Sequence, residues 1–253
     1  MRRDKISGML DLLFLGSGNA FGAEGRAFSS FLLNGRYLFD CGPTVLQQLH
    51  KAGVSSRDIE AVFISHFHAD HFFGLPFLML DAKYGGRTED LTIVGPPGIE
   101  TSTRRLLELG YPNVANSPGY TRRFIEADDG CNDEASGLSF TSSRVKHVDE
   151  FDCFAYRVEA DGRSLVYSGD TTLCEGLLSL VSEADVVVLE CSCDGVAVHL
   201  SPQGIEEVAL HAPDEARLIL THLDGHQREH PMIESLAKDR DVHFASDLAR
   251  FRF

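Results

Sequence analysis

The sequence predicts an α/β protein whose polar chemistry gathers at one edge of a sheet. Three observations carry this expectation. Short apolar runs alternate with segments that open on a proline or capping residue and close on glycine, the pattern of strands and helices in turn. The stretch Ser65-His66-Phe67-His68-Ala69-Asp70-His71 follows directly on the apolar run Ala61-Val62-Phe63-Ile64. Further on, Asp170, Glu190 and His222 each close another apolar run, as His66 does. Neutral imidazole nitrogens and carboxylate oxygens form the donor set of a zinc-type ion, and strand ends are rigid enough to preorganise one.

Composition narrows the function. The chain has 253 residues, 43% hydrophobic and 24% charged, enough for a sizeable core, and it is read as one unit over residues 1–253. Its net charge of −15 opposes extended nucleic acid. Two divalent ions reverse such a field only within a pocket, so a small anionic substrate is expected. The six cysteines form no C-x-x-C pair and Met1-Arg2-Arg3-Asp4-Lys5 shows no signal-peptide pattern, so reduced thiols and a cytoplasmic protein are expected. No apolar run approaches the roughly 18 residues of a membrane span. No internal repeat or low-complexity tract stands out.

In chain order, Leu12-Leu13-Phe14-Leu15 is a strand running into Gly16-Ser17-Gly18-Asn19, either a tight turn or a backbone lying close to an anion. Ser30-Phe31-Leu32-Leu33 and Tyr37-Leu38-Phe39 form a hairpin around Asn34-Gly35. After Asp40-Cys41-Gly42, Pro43 opens a helix with Leu46, Leu49 and His50, closed by Gly53. Asp40, at a strand end, is expected to orient a ligand histidine, with helix capping as the alternative. A single helix is expected to hold Asp70 and His71 in its first turn and continue to Leu80, despite Gly74 and Pro76. Thr92-Ile93-Val94 is a strand, and Gly95-Pro96-Pro97-Gly98 leads into a helix with Leu106, Leu107 and Leu109 that stops at Gly110. Residues 111–137 are expected to be loop.

From Leu138 strands resume, with Phe140 to Val145 leading to Lys146-His147. A hairpin joins Phe154 to Val158 with Ser164 to Ser168 across Asp161-Gly162, ending at Gly169-Asp170-Thr171. Val186-Val187-Val188-Leu189 ends at Glu190, and Leu218-Ile219-Leu220 at Thr221-His222. His199 precedes Leu200-Ser201-Pro202, the start of a helix with Ile205, Val208 and Leu210. His226 and His230 are not expected to be metal ligands, and His211 and His243 are expected to be structural.

The pattern H-x-H-x-D-H, an isolated histidine, Gly-Asp-Thr and a strand-end histidine resembles the metallo-β-lactamase superfamily. Leu15-Gly16-Ser17-Gly18, Phe39-Asp40-Cys41-Gly42, Gly74-Leu75-Pro76, Gly95-Pro96-Pro97-Gly98, Tyr167-Ser168-Gly169-Asp170-Thr171 and Leu220-Thr221-His222 are similar to its ribonuclease Z group of phosphodiesterases. That resemblance implies an αββα sandwich of two mixed sheets flanked by helices, with two divalent ions, zinc first and manganese or iron as alternatives. Carried across, His66, His68 and His147 would hold one ion, Asp70, His71 and His222 the other, and Asp170 would bridge them. The pair would activate water and clamp a phosphodiester for in-line attack. Asp70 would accept the water's proton, and His199 with Glu190 would protonate the leaving alkoxide.

One departure directs the substrate expectation. Transfer-RNA-processing members carry a long basic arm between the isolated histidine and Gly-Asp-Thr, whereas here only residues 148–169 separate His147 from Asp170. A small or cyclic phosphodiester is therefore expected, as in the phosphoribosyl cyclic phosphodiesterases that the chain also resembles. Transfer-RNA 3′-end processing, and hydrolysis of a lactone, thioester or sulfate ester, are the alternative activities. A nucleic-acid-binding or regulatory protein that uses the metal site structurally is the alternative class. A homodimer is left open.

Overall fold

The computed structural model describes residues 8–192, 197–225 and 227–253, with Arg228 as backbone only. The first five residues, Cys193 and His226, each used above, lie outside the described residues. The elements begin with β1 (Asp11–Gly16), β2 (Ser30–Leu33), β3 (Tyr37–Phe39), α1 (Val45–Lys51), β4 (Ala61–Phe63), α2 (Ala69–Phe72), α3 (Leu75–Tyr84) and β5 (Leu91–Gly95). There follow α4 (Ile99–Gly110), α5 (Pro112–Asn116), β6 (Arg122–Glu126), β7 (Cys131–Ala135), β8 (Leu138–Val145), β9 (Cys153–Ala160) and β10 (Arg163–Tyr167). The remainder holds α6 (Glu175–Val181), β11 (Val186–Glu190), α7 (Pro202–His211), β12 (Arg217–Thr221), α8 (Pro231–Asp239), β13 (Val242–Phe244) and β14 (Arg250–Arg252).

These strands make two seven-stranded mixed sheets, ordered β14-β1-β2-β3-β4-β5-β6 and β13-β12-β11-β10-β9-β8-β7. In each, an antiparallel half gives way to a parallel half, at β3–β4 in the first and β10–β11 in the second. Strand periodicity explains the stacking. Leu12, Phe14, Phe31, Phe39 and Phe63 face Tyr156, Val158, Leu165 and Tyr167 across a shared core. The alternate residues Leu13, Leu15, Leu32, Leu38 and Val62 face outward under α1, α3 and α4. Val166, Val187 and Leu189 do the same under α6, α7 and α8. Both faces of these strands are apolar because both are covered, and the result is the expected αββα sandwich.

The Asn34-Gly35 hairpin forms as the sequence predicts, both residues having positive φ (52° and 73°). Several expectations need correction. The single helix through Asp70 and Leu80 is two, α2 and α3, broken at Phe73-Gly74. At the break Gly74 N–H leaves the helix ladder and donates to Cys41 O at 2.7 Å, an approach that requires glycine, since a Cβ there would lie 2.1 Å from the Gly42 carbonyl oxygen. Residues 111–137 form α5, β6 and β7 rather than loop. β6 and β7 are the outermost strands of their sheets and largely solvent-facing, so their sequences, Arg-Arg-Phe-Ile-Glu and Cys-Asn-Asp-Glu-Ala, lack apolar alternation. Leu109 and Leu210 lie in the helices expected for them but are 86% and 73% exposed. Their helices turn other residues inward, Ile99, Thr103 and Leu107 in α4 and Ile205 and Val208 in α7. The expectations above include no counterpart of α6, α8, β13 or β14. No helix among the described residues is long and apolar enough to cross a membrane.

One buried charge belongs to the scaffold alone. Arg87 is 4% exposed and donates to four backbone carbonyls, those of Ser56, Arg57, Glu89 and Asp90. Its guanidinium carbon lies 5.3 Å from the centre of the Tyr120 ring. Arg87→Met keeps the stem but strips the donors, so it is expected to destabilise the fold by about 2–4 kcal/mol. The check is a lower urea midpoint at unchanged m-value.

Candidate metal centre

The two sheets bring the candidate ligands together at one edge. His66 and His68 follow β4, His147 follows β8, Asp170 follows β10, and His222 follows β12 immediately. Asp70 and His71 lie in α2. The chain after β3 grips this helix backbone to backbone, with Cys41 N–H donating to His71 O and Gly74 N–H to Cys41 O, both at 2.7 Å. A Cβ on Gly42 would lie 1.9 Å from the Asp70 carbonyl oxygen, so only glycine permits that approach.

Three ring nitrogens converge at one position. His68 Nδ1 lies 2.9 Å from His66 Nε2 and 3.1 Å from His147 Nε2. The far nitrogens of the partner rings are committed elsewhere. His147 Nδ1 donates to Val198 O at 2.7 Å. Ser65 Oγ donates to Asp40 Oδ2 at 2.8 Å and so accepts from His66 Nδ1 at 2.9 Å. At most one proton, on His68, is left among three lone pairs, and a cation in their midst satisfies all three. Burial holds all three imidazoles below the ordinary histidine pKa, which keeps them neutral as ligands.

A second cluster adjoins the first. His71 Nε2 lies 3.1 Å from Asp70 Oδ2 and 3.3 Å from Asp170 Oδ2, and His222 Nε2 lies 3.6 Å and 3.2 Å from the same two oxygens. Yet His71 Nε2 and His222 Nε2 are buried without a hydrogen-bond partner. Asp40, Asp70, Asp170 and Glu190 are all at most 9% exposed, so this edge concentrates negative charge away from water. Burial opposes charge on His71, but Asp170, Asp40 and Asp70 hold its pKa well above the ordinary value. The cavity calls for positive charge, and the orphaned nitrogens are placed to meet it. The donor set fits a pair of divalent ions, and the fold family implies such ions.

Asp170 belongs to both clusters. Its Oδ2 is within 3.9 Å of His147 Nε2 as well as near His71 and His222. Burial works against its ionisation, yet His222 and His71 hold its carboxyl well below the usual range. Glu190 is different, because its oxygens are already engaged. They accept from Thr171 N at 2.6 Å and from His199 Nδ1 at 3.0 Å. Burial, then Asp170, pushes Glu190 upward, and against burial the Glu190 carboxylate raises His199. The pair therefore holds a proton on an imidazole whose Nε2 is left facing outward from Glu190.

Asp40 fulfils its expected orienting role and does more. Its Oδ2 accepts from His71 Nδ1 at 2.6 Å and Tyr167 Oη at 2.5 Å, and its Oδ1 accepts from Ser65 N at 2.7 Å. Ser65 and Tyr167 are supporting groups that the sequence analysis left without roles, although strand alternation places Tyr167 on the inner face. Asp40 and His222 both adopt left-handed backbone (φ 54° and 58°), which costs about 1–3 kcal/mol each and persists only under tight surrounding contacts. Asp40→Asn, which puts an amide nitrogen in place of an oxygen that accepts from Ser65 Oγ, His71 Nδ1 and Tyr167 Oη, is expected to weaken metal binding about 10–100-fold. Competitive chelator titration measures this.

Other expectations resolve plainly. Gly16 and Gly18 serve close packing, since a Cβ on Gly16 would lie 2.0 Å from Phe28 O and one on Gly18 2.7 Å from Arg26 Cβ. His50, His211 and His243 lie outside these groups of possible ligands and face Asp81, Glu207 and Asp241 respectively. His230 lies outside them too and caps α8 by accepting from Met232 N.

Comparison with known proteins agrees with this geometry. The family model described as Anti-Pycsar protein Apyc1 matches residues 10–247. Ribonuclease Z of Picrophilus torridus is 27% identical, over 95% of this chain and 94% of its own length. The metallo-β-lactamase fold protein YhfI from Bacillus subtilis superposes with a TM-score of 0.78 at 22% identity, over 97% of this chain and 99% of that one. Human tRNase Z, short form (ELAC1), superposes with a TM-score of 0.74 at 26% identity, over 95% and 98%. The chain therefore belongs to the Anti-Pycsar protein Apyc1 family, and is a metal-dependent hydrolase of the ribonuclease Z-like metallo-β-lactamase superfamily.

Proposed function

We propose that this chain is a dinuclear phosphodiesterase acting on a small or cyclic phosphodiester. The convergence of buried imidazole nitrogens, two of them without a hydrogen-bond partner, and buried carboxylates on one sheet edge carries the metal part of the reading. His66, His68 and His147 would hold one ion, Asp70, His71 and His222 the other, and Asp170 would bridge them, with zinc as the first choice and manganese or iron as alternatives. When bound, the ions supply Lewis-acid activation of water and of the phosphoryl oxygens. Asp70 accepts the proton of the attacking water. Glu190 holds His199 by Nδ1, and His199 delivers a proton from Nε2 to the departing alkoxide.

The size of the substrate rests on a turn. Between His147 and Asp170 the chain runs through β9 and β10 joined by Asp161-Gly162, both at positive φ (52° and 80°), with Ala160 paired to Arg163. A two-residue turn of this kind leaves no room for an arm at that point. The alignment with the Picrophilus relative runs to 293 positions against 253 residues here, so that enzyme carries segments this chain lacks. A −15 surface supports the same choice, since it repels a polyanion.

The test is a substrate panel on protein loaded with two equivalents of zinc or manganese. Turnover of bis(p-nitrophenyl) phosphate and of small cyclic phosphodiesters is expected, with His68→Ala abolishing both. Faster cleavage of a precursor transfer RNA, or lactone turnover far above phosphodiester turnover, would overturn the substrate assignment.

A further inference from the structure

We infer that Asp247, which has no place in the chemistry above, is a positioning residue for His222. The inference rests on reading His222 as a metal ligand. His222 stands in left-handed backbone immediately after β12, a conformation its neighbours must enforce. On its C-terminal side the enforcement comes from one loop. Leu223 N–H donates to Ser17 O at 2.8 Å, and Asn19 N–H donates back to Leu223 O at 3.2 Å, a short parallel bridge between Gly18 and Leu223. Where residues 17–19 sit thus decides where the His222 ring points.

Asp247 holds that loop from its far side. Its Oδ1 accepts from Ser17 N at 3.0 Å and Ser17 Oγ at 2.9 Å. Its Oδ2 accepts from Ala27 N at 2.7 Å, and Gln48 Nε2 of α1 lies 3.4 Å away. The Ala27 segment in turn packs on the loop, with Gly18 N–H donating to Ala27 O at 2.8 Å and Ser29 N–H to Gly18 O at 2.9 Å. One carboxylate near the C-terminus therefore joins the end of β1, the chain before β2 and α1. The tie runs Asp247, Ser17, Leu223, His222. None of its hydrogen bonds reaches another candidate ligand, so its removal should affect one ion and spare the other.

Zinc titration of the metal-free full chain against a competing chelator, resolving two affinities, provides the test. Asp247→Ala is expected to weaken one affinity about 10–100-fold and leave the other within about threefold, and Asp247→Asn to do so less severely. In the metal-free protein, hydrogen exchange at the Leu223 amide should quicken about tenfold. Arg87→Met, destabilising but remote from this tie, should leave both affinities unchanged and so separates positioning from general loss of stability. Two unchanged affinities in Asp247→Ala, or two weakened alike, would overturn the inference. If Asp247→Ala does not fold, Asp247→Asn decides by the same criterion. If His222→Ala retains both affinities, the ligand assignment falls first, whereas loss of one affinity in His222→Ala but not in Asp247→Ala sinks only the positioning role.

Discussion

Asp170→Asn is expected to reduce hydrolysis of bis(p-nitrophenyl) phosphate well beyond the roughly 100-fold cost of losing an outer partner of a metal ligand, and to weaken both ions together. The substitution is nearly isosteric, so the β10 end and its surroundings keep their shape. What changes is one full negative charge at an atom that lies 3.2 Å from His222 Nε2, 3.3 Å from His71 Nε2 and 3.9 Å from His147 Nε2. In the proposed assignment every other ligand holds a single ion, and His68 groups only with His66 and His147, so His68→Ala should weaken chiefly one ion. Metal titration distinguishes the patterns, since Asp170→Asn should move both affinities and His68→Ala one. An Asn variant that keeps two ions and activity within about tenfold of the parent would remove Asp170 from the bridging position.

The candidate site was legible in the sequence because its histidines and carboxylates crowd at strand ends, and the strands were legible because they are buried on both faces. Leu12 to Leu15 and Val186 to Leu189 read as uninterrupted apolar runs for that reason. The same rule explains what was missed. β6 and β7 are outermost strands with solvated side chains, so nothing in their composition separates them from loop. The break between α2 and α3 coincides with Gly74 N–H donating to Cys41 O, a contact between segments about thirty residues apart that local sequence does not announce. Ser65 and Tyr167 acquire meaning only when β3, β4 and β10 bring them onto one carboxylate, Asp40. Leu109 and Leu210 belong to the helices expected for them, yet each is exposed because it lies in the last turn of its helix.

His199→Ala is expected to lower turnover of phosphodiesters with alkoxide leaving groups by about 10²–10⁴-fold while sparing bis(p-nitrophenyl) phosphate to within about tenfold. The difference follows from the leaving group. An alkoxide needs a proton as the P–O bond breaks, whereas p-nitrophenolate departs readily as the anion. His199 is built as the donor rather than as a ligand, because its Nδ1 is fixed at 3.0 Å from both Glu190 oxygens, leaving Nε2 as the nitrogen free to reach a substrate. Glu190 is itself held by the Thr171 amide at 2.6 Å, so the pair is anchored to the loop that carries Asp170. Glu190→Gln keeps an acceptor for Nδ1 but removes the charge that favours the imidazolium, and should show the same selectivity with a smaller loss. The competing possibility is that His199 binds metal, since Asp170, Glu190, His199 and His222 also lie close enough to share an ion. In that case His199→Ala would depress both substrates equally and release metal, and equal losses accompanied by weakened zinc affinity would move His199 from proton donor to ligand.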